Sequence, residues 1–236
     1  MRRTIALMAA TGLLMTLGLR AAEGPGGPRL ADQAALKPYG GLVGTWRGTG
    51  QVQRGRSQGA WTESASWAWK LSADSASLEM AVEKGKFLKA ALLKPGEGPG
   101  SFVLDATLAD GSTRTFRGKA EAGKPLALAA EGAGEGVRRV TLTIPNDLRF
   151  LVLLESKAAA GSYARLGEVG YTRNGVSFAA GEAGPVCVVT EGRGTIQVSH
   201  QGKTYWVCCS GCRDLFNENP TAIIAEAEAK QKAGQK

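Results

Sequence analysis

Hydrophobic and polar residues alternate in short segments over residues 39–178, and Gly, Pro, Asp and Asn separate these segments. In one of them, Trp61, Trp67 and Trp69 fall on one face of a strand, while Ser66 falls on the other. Alternation with a period of two is typical of half-buried β-strands. About ten such segments follow one another, which is enough to close a sheet on itself. The pattern predicts a mainly β protein with an antiparallel barrel over residues 39–178.

The barrel region opens with a tryptophan between glycines, Trp46 in the run GTWRGTG over Gly44–Gly50. This run is similar to the first strand of lipocalin-like and nitrobindin-like barrels, in which a tryptophan plugs one end. A large aromatic side chain closes a narrow mouth, and glycines let the strand bend. Nitrobindin-like proteins bind haem through a histidine late in the barrel. The only histidine here, His200, follows the barrel, so we do not expect haem.

The interior of such a barrel either holds a small apolar ligand or is filled by its own side chains. Both alternatives are open from the sequence. The residues expected to fill it are Trp67, Trp69, Phe87, Phe102, Leu142 and Phe150.

Residues 1–22 have the pattern of a secretory signal peptide: two arginines near the start, an apolar run and small residues near the end. The run Thr4–Leu19 is shorter than the roughly 20 apolar residues of a spanning helix. An uncleaved anchor is the alternative. We expect an exported protein, periplasmic or secreted, without an integral membrane segment after cleavage. Residues 23–38 contain Gly and Pro and predict a linker, with a possible short helix over Leu30–Leu36.

The net charge and the absence of known catalytic motifs in the sequence argue against several classes of function. The net charge is +8, but Lys and Arg are scattered rather than clustered, so no nucleic-acid partner is expected. The sequence contains no serine-hydrolase, zinc-protease or phosphate-binding motif. We therefore do not expect an enzyme, although a pair of carboxylates would leave no linear signature.

All cysteines follow a stretch of small residues at 179–185, which predicts a domain boundary. The module over residues 184–220 has about 35 residues, too few for a stable core without metal, disulfides or docking onto the barrel. A predicted hairpin ending near Cys208 and a helix starting near Cys212 bring thiols together. Residues 221–236 predict a C-terminal helix and tail. The candidate metal ligands are Cys187, Cys208, Cys209 and Cys212.

The module resembles the YHS/TRASH family of small, treble-clef-like metal-binding domains. The resemblance lies in GPVC at 184–187, in GKTYWVCCSGC at 202–212, and in the trailing Phe216 and Pro220. It implies an α+β module that binds a heavy metal, zinc or copper, through Cys187, Cys208 and Cys212. Cys209 is an additional thiol, either a fourth ligand or a neighbour of the ligands.

Two other interpretations of the cysteines stay open. In an oxidising compartment, Cys187 can form a disulfide with Cys208 or Cys212. Cys209 and Cys212 have the C-x-x-C spacing of a thiol oxidoreductase, although no βαβ pattern surrounds them. His200 lies too far along the hairpin from Cys208 to be a ligand. The sequence thus predicts an exported metal-binding protein, with a disulfide-stapled small-molecule-binding barrel or an oxidoreductase as alternatives.

Overall fold

A closed antiparallel barrel forms most of the structure, a computed structural model that describes residues 27–132, 134–158, 161–174 and 184–234. Each strand pairs with its neighbours in sequence, and β10 closes the barrel against β1. The predicted signal peptide and most of the predicted boundary at 179–185 lie outside the described residues. The strands are β1 (Gly44–Gln51), β2 (Trp61–Leu71), β3 (Ala76–Glu83), β4 (Leu88–Pro95), β5 (Ser101–Leu108), β6 (Thr113–Lys119), β7 (Leu126–Ala130), β8 (Arg139–Asn146), β9 (Arg149–Lys157) and β10 (Tyr163–Arg173).

Alternate residues of the strands point into the barrel, as the sequence pattern predicts, and the mainly β fold class is confirmed. Trp67, Leu142 and other apolar side chains leave an interior cavity of about 20 Å³. This volume is about that of one water molecule, and the lining is apolar, so an apolar ligand in the interior would require side chains to move. Phe87 lies outside this packing, where it is partly exposed against Trp61.

Trp46 closes one end of the barrel, as the glycine-flanked motif predicts. Its indole is 1% exposed, and its Nε1 donates to the carbonyl of Leu42 at 2.7 Å. The ring packs edge-on against Phe150, with centroids 4.7 Å apart. The guanidinium of Arg173 covers its other side at 4.2 Å.

The segment predicted as a linker, residues 23–38, is structured from residue 27 onward. It forms helix α1 (Gly27–Leu36) and continues into a 3₁₀ helix (Lys37–Leu42). Leu36 is fully buried against the barrel, and Asp32 Oδ2 accepts the N–H of Ala76 at 3.0 Å. The helix therefore covers the barrel and is not a free linker, because Arg29, Gln33 and Leu36 on one of its faces are buried.

The C-terminal module consists of a hairpin and two helices. The strands β11 (Ile196–His200) and β12 (Lys203–Val207) meet at a turn in which Gln201 and Gly202 both have positive φ, as a tight two-residue hairpin requires. Helix α2 (Ser210–Glu218) packs on β2, and α3 (Pro220–Gly234) follows it directly. Arg29 of α1 binds both carboxylate oxygens of Glu226 on α3 at 2.8 and 2.9 Å. This ion pair connects α3 to the helix that covers the barrel. Among the described residues, no helix has the length and apolar character needed to cross a membrane.

Candidate metal centre

The cysteines come from three separate pieces of the C-terminal module. Cys187 lies in the loop between Val186 and Arg193, and Cys208 directly follows β12. Cys209 is the residue that caps α2, and Cys212 lies in the first turn of that helix. All of them are buried, and all are free thiols.

Backbone hydrogen bonds hold the loop that carries Cys187 against the hairpin. The N–H of Cys187 donates to Gly192 at 2.7 Å, and its carbonyl accepts the N–H of Glu191 at 2.9 Å. The N–H of Val188 donates to the carbonyl of Trp206 on β12 at 2.8 Å. Gly194 permits this approach, because a Cβ there would lie 2.6 Å from Cβ of Trp206. The backbone thus fixes Cys187 over the end of β12.

Three sulfur atoms form a compact group. The Sγ atoms of Cys187, Cys208 and Cys212 all lie within 4.8 Å of one another, and those of Cys208 and Cys212 are 3.5 Å apart. A Zn–S bond of about 2.3 Å places sulfur ligands about 3.8 Å apart in a tetrahedron and about 4.0 Å apart in a plane. The three sulfurs could therefore surround a single metal ion. We call these residues the cysteine triad.

Cys209 is not one of the three residues whose Sγ atoms all lie within 4.8 Å of one another. Its Sγ is 3.9 Å from that of Cys208, a spacing that metal ligands also have, and it differs from the triad in accepting the backbone N–H of Trp69 on β2 at 3.3 Å. His200 is also outside, as the sequence predicts: its Nε2 lies 3.4 Å from the hydroxyl of Thr221. Of the four cysteines named from the sequence, the fold brings three into one group and directs the fourth toward the barrel.

Hydrogen bonds between the close sulfurs lower the pKa of two of the thiols and raise the pKa of the other two. Contacts from Cys208 and Cys212, and a further bond from Thr190, lower the pKa of the Cys187 thiol to about 2. Contacts from Cys208 and Cys212, with the amides of Cys212 and Trp69, lower the pKa of Cys209 to about 3. Neighbouring Cys187 raises the pKa of both Cys208 and Cys212. A metal ion binds sulfur as thiolate, and its positive charge offsets the repulsion between neighbouring thiolates.

Cys187 is the member of the cysteine triad that lines a groove open to solvent. The groove has a volume of about 730 Å³ and lies between the Cys187 loop, β12 and α3. Val186 at its rim is 63% exposed. On the opposite side of the loop, the hydroxyl of Thr190 lies 3.4 Å from Sγ of Cys208. The groove borders the triad at Cys187, whose own side chain is buried.

Sequence reasoning missed a second polar cluster, inside the barrel. Glu63 is 6% exposed; it accepts the hydroxyl of Tyr171 and the Nε1 of Trp61, the latter at 2.6 Å. Burial raises the pKa of Tyr171. An acidic residue on the apolar face of β2 was the available signal. Both carboxylate oxygens have donors, so the cluster stabilises the barrel wall and presents no free group for chemistry.

No protein-family model and no curated protein matches this chain. Among solved structures, the crystal structure of Rv2717c from M. tuberculosis aligns with 59% of this chain and 97% of its own, at 16% identity and a TM-score of 0.40. The strand pairing alone establishes the closed barrel.

Proposed function

We propose that this protein binds one soft metal ion, Zn²⁺ or Cu⁺, through Cys187, Cys208 and Cys212 beside its β-barrel. One observation carries the proposal: three buried sulfurs from separate chain segments lie within 4.8 Å of one another. A structural disulfide needs only two sulfurs. A third thiol at the same distance is what a metal ion requires, and thiolates favour soft ions over Mg²⁺ or Ca²⁺.

The size of the module supports the same proposal. About 35 residues bury little apolar surface, so the binding of an ion would add to the stability that docking onto the barrel supplies. The cysteine spacing that resembles YHS/TRASH domains is consistent with this role. The signal-peptide pattern of residues 1–22 adds export to the proposal, and a bound ion would protect the thiols in an oxidising compartment.

The structure favours neither alternative. For an oxidoreductase, the thiol pair Cys209 and Cys212 must reach another protein's disulfide, yet both residues are buried and Cys209 contacts the barrel. A disulfide of Cys187 with Cys208 or with Cys212 would join two of the three close sulfurs, but it would leave the third without a role. Disulfide formation is therefore kept as an outcome of the test.

Metal analysis of the full chain tests the proposal. The protein is purified without oxygen and without a metal-affinity tag, and its metal content is measured by mass spectrometry. We expect one ion per chain, and loss of that ion in Cys187→Ser, Cys208→Ser and Cys212→Ser, because a hydroxyl binds soft ions poorly. Ser199→Ala, an exposed change on β11 of the same module, is the matched control and should keep the ion.

Thiol titration with and without a chelator separates the metal site from a disulfide. A metal site shields thiols that become titratable when the chelator removes the ion. A disulfide leaves at most two titratable thiols in either condition. Little metal together with a disulfide at Cys187 would overturn the proposal.

A further inference from the structure

On one side of β2, next to the C-terminal module, the N–H and C=O of Trp69 have no partner strand. β1 pairs with β2 only from Gly50 opposite Trp61 to Gly44 opposite Trp67, so no β1 residue lies opposite Trp69. On its other side, Trp69 lies opposite Leu78 of β3. In an antiparallel pair, the N–H and C=O of one residue point to the same neighbouring strand. Where β1 has ended, these two groups need another partner, because buried peptide groups left unpaired are costly.

The start of α2 occupies this position. Sγ of Cys209 accepts the Trp69 N–H at 3.3 Å. Gly211 lies directly on the carbonyl of Trp69, since a Cβ at that position would be 1.7 Å from the oxygen. Both contacts are made to the same edge of β2. The sulfur of Cys209 accepts the N–H of Trp69, and Gly211, which has no side chain, lies against the Trp69 carbonyl.

Trp69 also lies near the loop that carries Cys187. It lines a cavity of about 260 Å³ together with Gly40 of the 3₁₀ helix and with Thr190. The hydroxyl of Thr190 is the group that contacts Sγ of Cys208. Trp69 therefore contacts the residue that caps α2 and shares this cavity with the loop that carries Cys187, and it is itself 4% exposed.

We propose that the four cysteines have two roles: Cys187, Cys208 and Cys212 bind the ion as a three-sulfur site, while Cys209 is a positioning residue that fixes this site to the barrel through the Trp69 amide. The proposal rests on the proposed metal binding and deepens it. A three-sulfur site leaves a coordination position for an external ligand, which four protein sulfurs would not. Such a site suits the transfer of an ion, and its planar form suits Cu⁺.

The first test counts ligands in the full-length reduced chain, loaded separately with Zn²⁺ and Cu⁺. X-ray absorption should find three protein sulfurs around the ion in the wild type and in Cys209→Ala alike. Cys209→Ala should weaken binding by about 10- to 100-fold, as is typical of residues that orient ligands, whereas Cys208→Ala should weaken it by well over about a hundredfold. Four sulfurs in the wild type, or equal losses in both variants, would overturn the proposal while leaving the proposed metal binding intact.

The second test examines the contact with the barrel and needs no metal. Cys209→Ala should lower the melting temperature of the reduced, metal-free chain and shift the Trp69 emission, which Trp69→Phe identifies by difference. Cys209→Ser should restore both, because a serine hydroxyl accepts an N–H and is favoured at a helix N-cap. Ser210→Ala, the exposed neighbour, is the control. If Cys209→Ala behaves like Ser210→Ala, the positioning role is wrong. Failure of the wild type to bind either ion would instead overturn the proposed function.

Discussion

Replacement of Gly211 by alanine should separate α2 from the barrel. A Cβ at this position would lie 1.7 Å from the carbonyl oxygen of Trp69 and 2.8 Å from its carbonyl carbon. A carbon and an oxygen in close contact are normally about 3.3 Å apart or more. The helix must therefore move away by about 1.6 Å, because the obstacle is backbone and cannot rotate aside. A shift of that size also breaks the hydrogen bond from Trp69 N–H to Sγ of Cys209.

The cost follows from three terms. Forced repacking of a tight contact costs about 1–3 kcal/mol, and the lost hydrogen bond costs about 1 kcal/mol. Alanine improves helix propensity over glycine by about 1 kcal/mol. The net loss is about 2 kcal/mol, which lowers the melting temperature by about 4–8 °C in a protein of this size.

Thermal unfolding of the reduced, metal-free chain, followed by circular dichroism, measures this loss. The control is Gly170→Ala on β10, where the nearest atom to a new Cβ is Nη2 of Arg149 at 3.7 Å. That variant should melt within about 2 °C of the wild type, because its glycine has room for a methyl group. If Gly211→Ala melts with this control and leaves the Trp69 emission unchanged, the described packing of α2 on β2 is refuted.

Two further predictions concern the way the module and the barrel depend on each other. Deletion of residues 185–236 should leave a barrel that melts cooperatively, since its core lies inside the closed sheet. The fluorescence of Trp69, which the deletion uncovers, should shift to longer wavelength. A near-UV circular dichroism spectrum without fine structure would contradict this prediction. Glu226→Ala should cost about 1–3 kcal/mol in urea unfolding, because it leaves Arg29, whose side chain is 9% exposed, without its carboxylate. Lys70→Ala, which removes an exposed ion pair, should cost less than about 1 kcal/mol, and equal costs would contradict the reasoning.

The barrel and the hairpin could be predicted from local sequence because local rules determine them. Alternation in β2 assigns Trp67 and Trp69 to the buried face, and the structure confirms it. The turn at Gln201 and Gly202 sets the register of the hairpin, which places Thr195 beside Cys208; the threonine hydroxyl donates to the Cys208 carbonyl at 3.0 Å. A period of two and a two-residue turn need no knowledge of the rest of the chain.

The packing of α1 and the role of Cys209 could not be predicted in the same way. Helix α1 packs on β3 and β4, and the contact of Cys209 depends on where β1 ends relative to β2. Both are long-range properties that no local pattern records. A cysteine beside two others in a C-C-x-x-C run is indistinguishable from a ligand by spacing alone. Only the docking of α2 on β2 shows that the Cys209 thiol has a partner in the barrel.

The docking also changes how the stability of the module should be understood. An isolated module of about 35 residues would depend on its ion for nearly all of its folding energy. Here α2 covers the exposed edge of β2, and Arg29 binds α3 through Glu226. The barrel therefore supplies part of the energy that orders the cysteine triad, so the ion has less to contribute to folding.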